Sequence, residues 1–193
     1  GFFPDIFLDI IKIDIELYGG LSMQYLDEFK SYGVLPLFDG SYFQEFSFIE
    51  KLELGNNNEF VIEFINVNSP GGRYLKIGEE FIPLSFSDNL SINGNVVFAG
   101  YGISAKDLNY DDYAGVDVKD NIVIVFRNNS DIKSTHAKFE QYSSLRYKTT
   151  NARDKGAKGI IFVNTSDKTD DPLVPLRYDD AGRITGISAA SVK

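Results

Sequence analysis

Five aspartates, Asp107, Asp111, Asp112, Asp117 and Asp120, crowd one short polar segment. Carboxylate oxygens at that density are what a hard cation such as calcium binds, which makes Asp111, Asp112 and Asp117 candidate calcium ligands. The segment lacks the Asp-x-Asp series closed by a Gly and a distal Glu that a calcium loop uses. Asp also stabilises turns through its own backbone, so solvated turn residues are the competing reading. Just upstream, Gly100-Tyr101-Gly102-Ile103-Ser104-Ala105 has the glycine spacing of a dinucleotide fingerprint and follows an apolar run at residues 96–99. A fingerprint holds pyrophosphate only if a helix begins at once. The next residues, Lys106-Asp107-Leu108-Asn109-Tyr110-Asp111-Asp112, carry no apolar face, so no nucleotide cofactor is expected. His136 is the single histidine, and there is no cysteine. Without a Gly-x-Ser-x-Gly elbow or a second imidazole, neither a Ser/His/Asp triad nor a hydrolytic zinc pair can be assembled. We expect no catalytic residue and no metal centre of that kind. Asn89-Leu90-Ser91, Asn128-Asn129-Ser130 and Asn164-Thr165-Ser166 are formal glycosylation sequons, to which no function is assigned.

Ile122, Val123, Ile124, Val125 and Phe126, downstream of the aspartates, form a continuous apolar run of the kind buried on both faces of a sheet. Residues 143–155 follow as an amphipathic helix, with Leu145, Thr149, Ala152 and Gly156 on its contact side and Arg146, Lys148, Arg153 and Lys155 elsewhere. Gly156 and Gly159 bracket the exit into Ile160, Ile161, Phe162 and Val163. Strand, helix and strand in this order predict a βαβ unit with a parallel pair. Between residues 41 and 100 short apolar runs alternate with turn signals at Gly55-Asn56-Asn57-Asn58, Ser69-Pro70-Gly71-Gly72 and Asn93-Gly94, which argues for a small β-barrel or sandwich. The tail, residues 184–193, supplies one more short strand. Upstream, Leu21, Tyr25, Phe29 and Tyr32 share one face of a helix stopped by Gly33 and Pro36. Residues 5–18 fit either period, helical through Ile6, Ile10, Ile13 and Leu17 or strand-like through Ile11, Ile13 and Ile15, and the helix is preferred. The expected fold class is α+β, with one or two helices in an N-terminal segment, 1–38, and a strand-rich domain, 39–193.

At 193 residues, 43% hydrophobic and 24% charged, the chain can build one good core. A net charge of −9 with no local basic cluster excludes nucleic acid as a partner. No apolar run approaches the length of a membrane span.

Several stretches resemble the protease-associated domain as it occurs inserted in zinc-dependent aminopeptidases of the glutamate carboxypeptidase and transferrin-receptor type. Tyr110-Asp111-Asp112-Tyr113-Ala114-Gly115-Val116-Asp117-Val118-Lys119 is similar to the insert's long loop. Phe81-Ile82-Pro83-Leu84-Ser85-Phe86-Ser87 and residues 96–102 resemble its strands, and Ala152-Arg153-Asp154-Lys155-Gly156-Ala157-Lys158-Gly159 its helix and the entry to its closing strand. Asp27-Glu28-Phe29-Lys30-Ser31-Tyr32-Gly33-Val34-Leu35-Pro36 and Gly40-Ser41-Tyr42-Phe43-Gln44 resemble the first peptidase helix and the stretch after it. The chain departs from the family pattern at Glu16-Leu17-Tyr18-Gly19-Gly20, where a Glu and an Arg are missing. The resemblance implies a non-catalytic lid or interaction module that limits access to a peptidase cleft. Zinc is implied only in a downstream peptidase domain. The implied partners are that domain of the same polypeptide, a peptide substrate and a second copy in a homodimer, and the implied location is periplasmic or extracellular. It makes Tyr101, Asp111, Tyr113 and Arg127 the contact candidates, since polar and aromatic groups at strand ends project toward a cleft. The competing reading is a self-standing module that binds a peptide or protein with no peptidase attached.

Overall fold

A computed structural model describes residues 2–7, 10–16, 26–36, 42, 47–64, 71–128, 138–165, 171–177 and 184–193. In chain order the strands are β1 (Phe2–Phe7), β2 (Ile10–Glu16), β3 (Ser47–Leu54), β4 (Glu59–Phe64), β5 (Gly71–Tyr74), β6 (Phe81–Pro83), β7 (Ser91–Asn93), β8 (Val96–Phe98), β9 (Ser104–Ala105), β10 (Tyr110–Asp111), β11 (Ile122–Phe126), β12 (Gly159–Val163) and β13 (Ser188–Val192). Helix α1 covers Leu26–Ser31 and α2 covers Leu145–Asp154. The chain divides into two compact units, Lys12–Leu52 and the remainder, Gly1–Ile11 with Glu53–Lys193.

In the smaller unit β2 pairs with β3, and α1 ends at Gly33, whose φ of 71° is the left-handed backbone a helix stop requires. The Gly33 N–H closes the last turn on the Lys30 carbonyl at 3.1 Å. The helical reading of residues 5–18 is corrected here: the described residues form β1 and β2 instead. Both periods fitted, and tertiary pairing decided between them. β1 is bonded to β4 along its whole length and to β7 over Asp5–Phe7, which no local propensity reveals. Of the helix predicted from Leu21 to Tyr32, residues 21–25 lie outside the described residues, and Leu26–Ser31 is helical.

In the larger unit β9 and β10 form a short antiparallel ribbon of their own, and the core is two sheets packed face to face. One has the order β5-β4-β1-β7, antiparallel at every pairing; the other has the order β6-β13-β12-β11-β8. In the second sheet β8, β11, β12 and β13 run parallel and β6 closes one edge antiparallel. The predicted βαβ unit is present as β11-α2-β12, in register from Ile122↔Gly159 to Phe126↔Val163. Alternation then sorts its side chains. Val123, Val125, Ile160 and Phe162 face α2, where Ala152 is buried with them. Ile122, Ile161, Ala190 and Val192 face the other sheet and meet Phe60 of β4. Gly159 is required by that second contact, because a Cβ there would collide with Ile92 of β7. The Asn93-Gly94 turn behaves differently from a hairpin: it carries the chain from β7 in one sheet to β8 in the other. Gly71 and Gly72, expected in a turn, belong to β5.

Candidate functional site

The Gly-x-Gly segment after β8 is a loop whose carbonyls and N–H groups are claimed by side chains. The carboxylate of Asp112 accepts from the Tyr101 N–H at 3.1 Å, the Ile103 N–H at 3.0 Å and the Tyr110 hydroxyl at 2.7 Å. Gly100 and Gly102 have φ of 50° and 71°; a Cβ on Gly102 would lie 2.9 Å from Val125 Cγ1. These glycines let the loop fold back over the end of the sheet, and the chain continues into β9 and a single 3-10 turn at Lys106–Leu108. Helix α2 clamps the same loop from outside. Its Tyr147 hydroxyl donates to the Ser104 carbonyl at 2.7 Å, and Asn151 Nδ2 donates to the Gly102 carbonyl at 3.0 Å.

The aspartate-rich segment is turn chemistry in this arrangement. Asp111 accepts from the Ser104 hydroxyl at 2.6 Å and the Tyr113 N–H at 3.1 Å. Against the desolvation that pushes it up, these donors and the Lys155 ammonium hold its carboxyl below the usual range. Asp117 accepts from the Lys119 N–H at 3.2 Å. Among the described residues no cluster of three metal-ligating side chains forms, so Asp111, Asp112 and Asp117 are not brought together as a cation site. His136 lies outside the described residues.

Of the four contact candidates, Asp111 is exposed and Tyr101 half-buried. Tyr113 is 5% exposed and packs in the core under the Lys155 ammonium, which sits 4.9 Å from its ring centroid. Its hydroxyl has no hydrogen-bond partner among the described residues, and burial, then Asp112 and Asp111, push its ionisation upward. Arg127 is turned inward as well: its guanidinium pairs with Asp171 and donates to the Pro172 carbonyl at 2.6 Å. Core packing and loop anchoring therefore account for Tyr113 and Arg127.

What lies at the surface is aromatic. Phe98, at the end of β8, is 53% exposed. Phe126, at the end of β11, packs on it edge to face at 5.1 Å between centroids, and Tyr101 leans on Phe126 at 5.4 Å. Both phenylalanines stand on the sheet face opposite α2, continuous with an apolar groove of about 240 Å³ between β4 and the parallel strands. This patch sits at the carboxyl ends of parallel strands, where α/β sheets place their ligands.

Lys148 holds that end of the sheet in place, and the sequence reading put it on the wrong side of the helix. Expected among the solvent-facing cations of α2, it is 0% exposed. Its ammonium donates to three successive carbonyls at the end of β11 and just after it, Phe126 at 2.8 Å, Arg127 at 3.1 Å and Asn128 at 2.6 Å. Burial lowers its pKa to about 8, with Asp112 opposing the shift. The signal that could have found it is its spacing: Lys148 lies three residues after Leu145, next to Thr149 and four before Ala152, on the margin of the contact stripe.

A model of the PA domain family matches residues 92–193, a span that runs from β7 to the end of β13. Among solved structures the chain is similar to an aminopeptidase from Aneurinibacillus sp. strain AM-1, at 24% identity and a TM-score of 0.41, over 59% of this chain and 22% of that one. The chain thus spans about a fifth of that aminopeptidase's length. No curated protein matches it.

Proposed function

Because this chain belongs to the PA domain family, a module typical of peptidases and non-catalytic by itself, we propose that it serves as an access and interaction surface beside a zinc-dependent peptidase domain of the same polypeptide. The observation that carries this reading is the aromatic patch at the carboxyl ends of parallel strands: exposed Phe98 and half-buried Phe126 at the ends of β8 and β11, with half-buried Tyr101 on the following loop that Asp112, Tyr147 and Asn151 hold in place. Aromatic groups on such a fixed support are suited to contact, since they offer large area at little entropic loss. Support for a peptidase neighbour comes from the stretch at residues 27–44, which resembles the start of a peptidase domain and lies largely in the separate unit Lys12–Leu52. Zinc belongs to that neighbour in this reading, and Asp111 and Tyr101 are the contact residues that face outward.

The test begins with the mass of the native polypeptide. A mass far above 21.6 kDa places the module in a larger enzyme. In that enzyme Tyr101→Ala should leave kcat/KM for a short aminoacyl reporter unchanged while shifting the preference between short and long peptides. Equal effects on both substrate classes would overturn the access role. Hydrolysis of the reporter by the isolated chain with zinc added would overturn the non-catalytic reading. A second reading, a self-standing peptide-binding module, is favoured by the outer edge of β8, with which no described strand pairs.

A further inference from the structure

The structure assigns the outer edge of β8 as a docking site for an extended peptide segment that carries apolar side chains at alternate positions and basic residues at its flanks. This inference deepens the interaction role proposed above and rests on it. Three observations lead to it.

The first is backbone chemistry. β8 is the terminal strand of its sheet, and no described strand pairs with its other side. The Asn95 carbonyl accepts from the Ile122 N–H at 2.8 Å and the Ala99 N–H donates to the Ile124 carbonyl at 3.0 Å. In a parallel ladder every second residue faces the neighbour, so Asn95, Val97 and Ala99 face β11 while the N–H and C=O groups of Val96 and Phe98 point away from it. A row of donors and acceptors with no partner among the described residues is satisfied by an added strand, and an extended backbone is the partner that matches its spacing.

The second is the side-chain surface beside that edge. Val96 and Phe98 project to the same sheet face as Ile124, into and alongside the groove lined by Phe60, Ile62 and Val163. Every described residue that lines the groove is apolar. A charged or hydrogen-bonding side chain placed there would lose its water without gaining a partner, so the inserted side chains must be apolar. Phe98 and Phe126 extend the same face beyond the groove and offer an aromatic platform for the next alternate side chain. The third is charge: the chain carries −9 overall, and its field favours a segment that brings basic rather than acidic residues at its ends.

The probe is a short synthetic peptide of alternating Leu and Thr between terminal lysines, titrated into the isotopically labelled protein and followed by NMR. Binding at the edge should slow amide hydrogen exchange at Val96 and Phe98, shift the methyl signals of Ile124 and Val163, and leave Val97 unchanged. Phe98→Glu, which puts a carboxylate on the platform while keeping the exposed position, should weaken binding about tenfold. A control peptide with Asp in place of Leu should not bind. Methyl shifts without slowed exchange at Val96 and Phe98 would overturn strand addition. Protection of those amides in the free protein would overturn it too, since the edge would then already be covered by this chain or, if concentration-dependent, by a second copy. Failure here together with an effect of Tyr101→Ala on substrate length would leave the access role standing.

Discussion

Replacing Lys148 with Met keeps the length and apolar stem of the side chain and removes only the ammonium, so its effect isolates the three carbonyl contacts at the end of β11. Each of these partly buried carbonyls left without a donor costs about 2 kcal/mol, the middle of the usual range. Opposing this, the lysine pKa falls from 10.5 to about 8, so keeping the charge inside the folded protein costs about 3 kcal/mol that the methionine does not. The balance is a loss of about 3 kcal/mol at neutral pH, which for a domain of this size lowers Tm by roughly 6–12 °C. The pH dependence gives an independent reading. Below pH 8 both the folded and the unfolded chain hold the proton, and this group contributes no slope. Between about 8 and the ordinary lysine value only the unfolded chain holds it, so the wild type gains stability as pH rises, by at most about 1.4 kcal/mol per pH unit. The variant lacks that gain, and the gap between the two should widen above pH 8. Thermal unfolding of both proteins across pH 7–10 measures this. A variant as stable as the wild type, or a gap that narrows above pH 8, would refute the account of Lys148 as the donor that satisfies this strand end.

Asp112→Ala removes the acceptor shared by Tyr101, Ile103 and Tyr110. It should cost about 2–4 kcal/mol in chemical denaturation and speed amide exchange at Tyr101 and Ile103 before the core opens. Tyr113→Phe deletes a buried hydroxyl that has no partner among the described residues, and should raise stability by about 1 kcal/mol. The same residue governs alkaline behaviour. Burial raises the ionisation of Tyr110 and Tyr113 above the unfolded tyrosine value, so their contribution is fully present below pH 10 and is lost as pH climbs further. Absorbance at alkaline pH should therefore show a tyrosine fraction that ionises only as the protein unfolds, and Tyr113→Phe should make it smaller.

The functional residues divide by how local their causes are. Asp112 was visible as one of a crowded set of aspartates, but its use as an anchor for the glycine loop was not, because two of its three donors are backbone N–H groups nine and eleven positions earlier. Lys148 was misassigned because helical periodicity distinguishes a contact stripe from its opposite face but says little about the margin between them. Whether a marginal lysine turns inward depends on what lies across the gap, here three carbonyls of residues about twenty positions earlier in the chain. Tyr113 and Arg127 looked like cleft residues because polar and aromatic groups at strand ends often are. Their inward turn follows from the core packing of Tyr113 and the long-range pairing of Arg127 with Asp171.

By itself the sequence determined the elements whose pattern is strong and short-range. The buried runs of β11 and β12, the glycine-stopped helix between them and the turn residues that separate the short strands are written in apolar periodicity and in the backbone freedom of glycine. Contacts far apart in the chain set the rest: that Phe2–Phe7 and Ile10–Glu16 are strands, that the Asn93-Gly94 turn joins two sheets, that Lys148 is buried and that no described strand pairs with the outer edge of β8. Each of those outcomes is set by a partner far away in the chain, and a hydrogen bond or an apolar contact across such a distance leaves no periodic trace in the segment that makes it.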